Sequence, residues 1–176
     1  KDVNEAPVAP DTTFKIAEDA KKGTVVGTVL ASDPDSLHIA EFGKLKYQLV
    51  TKTTVFAVDS LSGKLILTDT LDYETTKSYT VYVRVSDGKL ADTAKVIVNV
   101  LNVNEAPVVK NTTVMIDEEC KGCAVSNNVP ASDPDGDKLK YEVLKDTSGL
   151  FKIDSTIGRI ALKKDAKLDY EKDSVY

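Results

Sequence analysis

With 176 residues, 41% of them hydrophobic and 29% charged, the chain has room for two small cored domains, the second of them short. A net charge of −5, from 28 acidic against 23 basic residues, leaves no basic stripe for phosphate contacts; this excludes nucleic acid and disfavours an anionic membrane surface. No run approaches the roughly 18 apolar residues that span a bilayer, and Lys1-Asp2-Val3-Asn4 lacks a secretory-signal pattern, so the chain is expected to be an internal piece of a larger polypeptide.

In chain order, Asn4-Glu5-Ala6-Pro7 reads as a linker. A first apolar run, Phe14 to Ala17, leads to Glu18, and a second, Val25 to Ala31, to Asp33-Pro34-Asp35. The insertion Ser36 to Phe42 carries the sole histidine, His38, read as inert. Further runs follow at Leu45 to Val50, Val55 to Val58 and Leu65 to Thr68, and then comes Leu71-Asp72-Tyr73-Glu74. Tyr79 to Ser86 alternates apolar and polar residues, Asp87-Gly88 makes a turn, and Ala94, Val96, Val98 and Val100 alternate again. Period-two alternation is the pattern of half-buried strands. Seven such strands over about 100 residues, with no helical period, predict an all-β, antiparallel Greek-key sandwich of the immunoglobulin-like kind.

The pattern then repeats. Asn104-Glu105-Ala106-Pro107, Asp133-Pro134-Asp135 and Leu168-Asp169-Tyr170-Glu171 follow their counterparts at offsets of 104 − 4 = 133 − 33 = 100 and 168 − 71 = 97. An offset of that size is a whole domain, dividing the chain into residues 1–103, first linker plus repeat 1, and 104–176, linker plus repeat 2. Strands are predicted in repeat 2 at Val114 to Ile116, Ala124 to Ala131, Leu139 to Leu144, Leu150 to Ile153 and Ile160 to Leu162. Tyr176 aligns with Tyr79, so repeat 2 lacks counterparts of the last two strands and is predicted to be incomplete. Completion by a continuing parent chain or by another chain is the expectation, because open sheet edges are otherwise exposed.

Cys120 and Cys123 are the only cysteines. Two thiols and one distant histidine do not make a four-ligand zinc site, and no strand-to-helix pattern suggests redox catalysis, so the pair is read as structural, either disulfide-bonded or free. Asn111-Thr112-Thr113 is an N-glycosylation sequon.

Carboxylates recurring at fixed places between apolar runs repel one another unless something neutralises them, and an oxygen-only set suits a hard cation such as calcium. The constellation resembles the extracellular cadherin repeat, and Glu18, Asp72 with Glu74, Asp33 with Asp35, Asp133 with Asp135, and Asp87 each match one of its acidic motifs. The resemblance implies calcium held between repeats by Glu18, Asp72, Glu74, Asn102, Asn104, Glu105, Asp133 and Asp135. It further implies an upper site from Asp2, Asn4, Glu5, Asp33, Asp35 and Asp87, and a lower half-site from Glu118, Asp169 and Glu171. Asn102 stands where the family has an aspartate, and the linker is one residue short, so weaker binding is expected. Implied with these are an extracellular or cell-surface location, adhesion or stalk function, partners that are other such repeats in cis and homophilic or other surface proteins in trans, and no enzymatic activity.

Two other classes compete. A carbohydrate-binding module of a polysaccharide-acting protein would need an exposed aromatic platform, which seven Tyr, four Phe and no Trp supply poorly. A glycosidase needs one carboxylate pair rather than the same pair in both repeats.

Overall fold

The computed structural model describes residues 3–37, 44–120 and 123–172; Asp2, His38 and Tyr176 lie outside the described residues. The chain divides into two compact units, Lys1–Val103 and Asn104–Tyr176.

In unit 1 the alternating runs become seven strands: β1 (Thr12–Ala17), β2 (Val25–Thr28), β3 (Lys46–Leu49), β4 (Phe56–Val58), β5 (Lys64–Leu67), β6 (Ser78–Ser86) and β7 (Ala91–Leu101). They form two sheets, ordered β1-β7-β6-β3 and β2-β5-β4. Alternation decides which face is buried: Val81, Val83 and Val85 of β6 and Ala94, Val96 and Val98 of β7 are at most 2% exposed, while Tyr82, Arg84 and Lys95 between them face water. Their inward side chains meet Leu65 and Leu67 of β5 and Phe56 of β4 in one core. Phe56 sets its ring edge-on to Tyr79 at 5.3 Å. Each fully buried aliphatic or aromatic side chain contributes roughly 1.5–3 kcal/mol, so this core holds the two layers together. The architecture is the immunoglobulin-like sandwich that the alternation predicts.

One pairing departs from the antiparallel expectation. β1 runs parallel to β7, from Thr12 opposite Val96 to Ala17 opposite Leu101. Parallel neighbours need a long connection, and the rest of unit 1 supplies it. The consequence is functional, because the C-terminal ends of the first and last strands emerge at the same pole. β6 runs antiparallel to β7, with Ser78 opposite Asn99, so the segment that enters β6 arrives there as well. The opposite pole gathers the linker, the β2 exit and the β6–β7 turn, with Val8 bridged to Ser32.

Unit 2 repeats part of this plan. β8 (Val108–Val109) pairs with β10 (Ala131–Ser132), the same connection as Val8 to Ser32 one hundred residues on. β9 (Ala124–Asn128), β11 (Phe151–Ile153) and β12 (Arg159–Leu162) form a sheet ordered β11-β12-β9, the counterpart of β4-β5-β2. Two predicted strands do not form: Val114 to Ile116 and Leu139 to Leu144 stay outside any ladder. Their equivalents in unit 1, β1 and β3, pair with β7 and β6, and unit 2 has no counterpart of either among its described residues. A strand without a neighbour has unpaired backbone groups and does not persist. Cys120 and Cys123, left open by their spacing, are joined in a disulfide with Cα atoms 5.7 Å apart.

Candidate metal centre

The parallel pairing of β1 with β7 builds the lower pole of unit 1. β1 ends at Ala17, and Glu18 continues the ladder with its N–H on the Leu101 carbonyl at 3.1 Å. The Glu18 side chain is 8% exposed. Its Oε1 accepts the Val103 N–H at 2.8 Å and its Oε2 the Tyr73 N–H at 2.6 Å. One buried carboxylate therefore ties the chain leaving β7 to the segment entering β6. Asp72 closes a turn, its Oδ1 accepting the Thr75 N–H at 2.7 Å and its Oδ2 the Thr75 hydroxyl at 2.9 Å. These two bonds hold its carboxyl below the usual carboxylate range, so it stays charged. The exposed Glu74 completes the pole: one oxygen each from Glu18, Asp72 and Glu74 all lie within 4.8 Å of one another. Among the described residues this is the one such group of three.

The upper pole of unit 1 is more buried. Asp33, Asp35 and Asp87 are 5%, 3% and 9% exposed. Asp35 Oδ2 accepts the Glu5 N–H at 2.7 Å, and Asp33 Oδ1 the Asp35 N–H at 2.9 Å. Asn4 donates from its carboxamide to Asp87 Oδ2 at 2.8 Å. Burial opposes the charge on Asp87, but hydrogen bonds from Lys89 N–H, the Asn4 carboxamide and Leu90 N–H outweigh it and hold the carboxyl below its ordinary value. Among the described residues, two buried oxygens of this pole have no hydrogen-bond partner, Asn4 Oδ1 and Asp33 Oδ2.

Unit 2 repeats part of each pole. Glu105 N–H donates to Asp135 Oδ2 at 2.7 Å, the same bond as Glu5 to Asp35, and the Asn104 carboxamide donates to the Glu105 carbonyl at 3.2 Å. Asp133 Oδ1 accepts instead from Asp137 N–H at 3.1 Å. Asp135 Oδ1 is a third buried oxygen without a hydrogen-bond partner among the described residues. At the other pole Glu118 Oε2 accepts the Tyr170 N–H at 2.9 Å, as Glu18 accepts that of Tyr73, and Asp169 Oδ1 accepts the Lys172 N–H.

Of the residues singled out from sequence, Glu18, Asp72 and Glu74 converge in one pole of unit 1, and Asn4, Glu5, Asp33, Asp35 and Asp87 share the other. Asn104, Glu105, Asp133 and Asp135 share a pole of unit 2. Asn102 lies exposed after β7, and Asp2 falls outside the described residues. The positioning role of Thr75 went unread, although the three-residue spacing from Asp72 is the signature of a side-chain-capped turn. Every donor here is oxygen, with neither imidazole nor thiolate in these sets, which fits a hard cation and not zinc.

The cadherin-domain family model matches residues 12–101, just over half of the chain. Among curated proteins, protocadherin Fat 2 of Mus musculus is 29% identical over 172 residues, covering 92% of this chain and 4% of that protein. The chain thus spans a small fraction of that relative's length. Among solved structures, human protocadherin-24 EC1-2 is 28% identical with a TM-score of 0.68, over 93% of this chain and 80% of that one. Drosophila N-cadherin EC1-4 shares the fold at a TM-score of 0.72 and 20% identity, over 94% of this chain and 42% of that one. The recurring acidic poles, the two-sheet sandwich and these likenesses agree, and the chain belongs to the cadherin family, as an extracellular tandem module.

Proposed function

We propose that the chain binds calcium at the poles of its units and that binding stiffens the connection between them, making the tandem a semi-rigid element of an adhesion protein or stalk. The observation that carries this reading is the set of unpartnered buried oxygens, Asn4 Oδ1, Asp33 Oδ2 and Asp135 Oδ1. A buried carboxylate or carboxamide oxygen with no partner costs free energy that a folded protein rarely tolerates, and a coordinated cation would remove that cost. Glu18, Asp72 and Glu74 serve the lower pole of unit 1; Asn4, Glu5, Asp33, Asp35 and Asp87 serve the upper one; and Asn104, Glu105, Asp133 and Asp135 serve that of unit 2, with Asn102 in the linker. Calcium takes six to eight oxygens, so backbone carbonyls and water complete each shell. Its partners in this role are further repeats in cis and surface proteins in trans.

Glu74 gives the cleanest test, since it is exposed while Glu18 and Asp72 also hold backbone in place. Calorimetric titration of the chain with calcium should show extracellular-class sites, with dissociation constants of about 10⁻⁴ to 10⁻³ M. Glu74→Ala should weaken one of them by about tenfold, or roughly 1.4 kcal/mol. Titration curves identical for the two proteins would remove the lower pole from the calcium sites.

A further inference from the structure

We propose that Asn111 is a site of N-linked glycosylation. Asn111-Thr112-Thr113 is the one sequon in the chain, with proline neither inside it nor at Val114 after it. The backbone just before it is fixed, because Lys110 N–H donates to the Pro130 carbonyl at 2.9 Å next to the β8–β10 pair. Asn111, Thr112 and Thr113 are themselves exposed and belong to no strand. Among the described residues the Asn111 carboxamide has no hydrogen-bond partner, so attaching a sugar to it breaks nothing.

The internal repeat makes the exchange plain. One hundred residues earlier stands Asp11, whose Oδ1 accepts the Lys95 N–H at 2.8 Å. In unit 1 that side chain fastens the entrance of β1 to β7. In unit 2 the position carries a free carboxamide followed two residues later by a threonine hydroxyl, the pair that a glycosylating enzyme reads. β1 is also the outer strand of its sheet, and a bulky hydrated group at the entrance of an outer segment hinders edge-to-edge pairing with other chains. Export of an extracellular-family chain takes it through the compartment where such transfer takes place.

The reaction balances without an oxidant or reductant. Asn111 Nδ2 forms a bond to the anomeric carbon of a lipid diphosphate-linked oligosaccharide. The bond from that carbon to the diphosphate oxygen breaks, the lipid diphosphate leaves with the electron pair, and one amide proton passes to a base.

The test is to secrete the full chain from a eukaryotic cell behind a cleavable signal and to measure the peptide that contains residue 111 before and after treatment with peptide-N-glycosidase. More than half of the chain should carry a glycan, and its release should leave aspartate at 111. Thr113→Ala and Asn111→Gln should each abolish the modification, while Thr113→Ser should retain it. Because transfer precedes folding, peptide mapping reports occupancy even for a variant that folds poorly. A peptide found bare in more than half of the secreted chain overturns the proposal, as does a glycan that persists in Asn111→Gln. Calcium titration is independent of this outcome, so the two readings fail separately.

Discussion

The Glu18 carboxylate has two occupations. Its two oxygens accept backbone N–H groups from Tyr73 and Val103, residues far apart in sequence. Both donors sit where the chain has left the β ladder, so neither has a strand neighbour to replace Glu18. The carboxylate is therefore structural before it is a ligand, unlike the exposed Glu74 beside it. Removing a partner from a buried donor costs about 1–3 kcal/mol, and two are lost together in Glu18→Ala. That variant should lower the stability of unit 1 by at least about 2 kcal/mol in urea unfolding with a chelator present, whereas Glu74→Ala should stay within about 0.5 kcal/mol of the parent. Equal unfolding midpoints for the two variants would show that Glu18 is a ligand and nothing more.

Among the elements, the turn between β4 and β5 shows how the repeat is built. Asp59 Oδ1 accepts the Leu61 and Ser62 N–H groups and the Ser62 hydroxyl, and Gly63 then takes a φ of 69°. A Cβ on Gly63 would come within 2.7 Å of the Val29 carbonyl and 2.8 Å of the Tyr47 ring. Asp154, Thr156 and Gly158 make the same turn in unit 2, with the Tyr141 ring over a glycine at φ 67°. Gly63→Ala should destabilise unit 1 by at least about 1–2 kcal/mol from the left-handed backbone alone, read as a lower melting temperature; an unchanged one would mean that the turn relaxes freely. The Asp-to-Gly spacing that makes such turns is local chemistry. All seven strands of unit 1 were legible in the sequence, since each alternating run there has a neighbour to pair with. Leu139 to Val143 alternates just as well and Val114 to Ile116 is as apolar, yet neither forms a strand, because pairing belongs to two segments and one pattern cannot report on the other. The acidic residues of the poles were singled out from their recurrence in both repeats and from the motifs they match. The parallel register of β1 on β7, which delivers Glu18 to Val103, was not legible.

At the scale of the molecule, the two units differ in what protects their backbone. Unit 1 buries a continuous core from Ala9 to Val100. In unit 2, among the described residues, Leu162 is the one apolar side chain fully buried, while Met115 and Leu144 are 94% and 88% exposed. Segments with few buried contacts and no ladder bonds open at little cost in free energy, and a protease needs such an opened segment. Lys138, Lys140 and Lys145 are exposed in and beside the unladdered segment 139–144, whereas Lys64 and Lys95 lie within β5 and β7. Limited trypsin digestion should therefore cut at the first three well before the last two, and the order should hold with calcium or with chelator, because it follows from packing and not from the poles. Chelator should likewise leave the strand signal of unit 1 in circular dichroism largely intact, since its core contains no carboxylate. Cleavage at Lys64 or Lys95 as fast as at Lys140 would mean that the core of unit 1 opens as readily as the bare segment of unit 2, and that buried area is not what separates them.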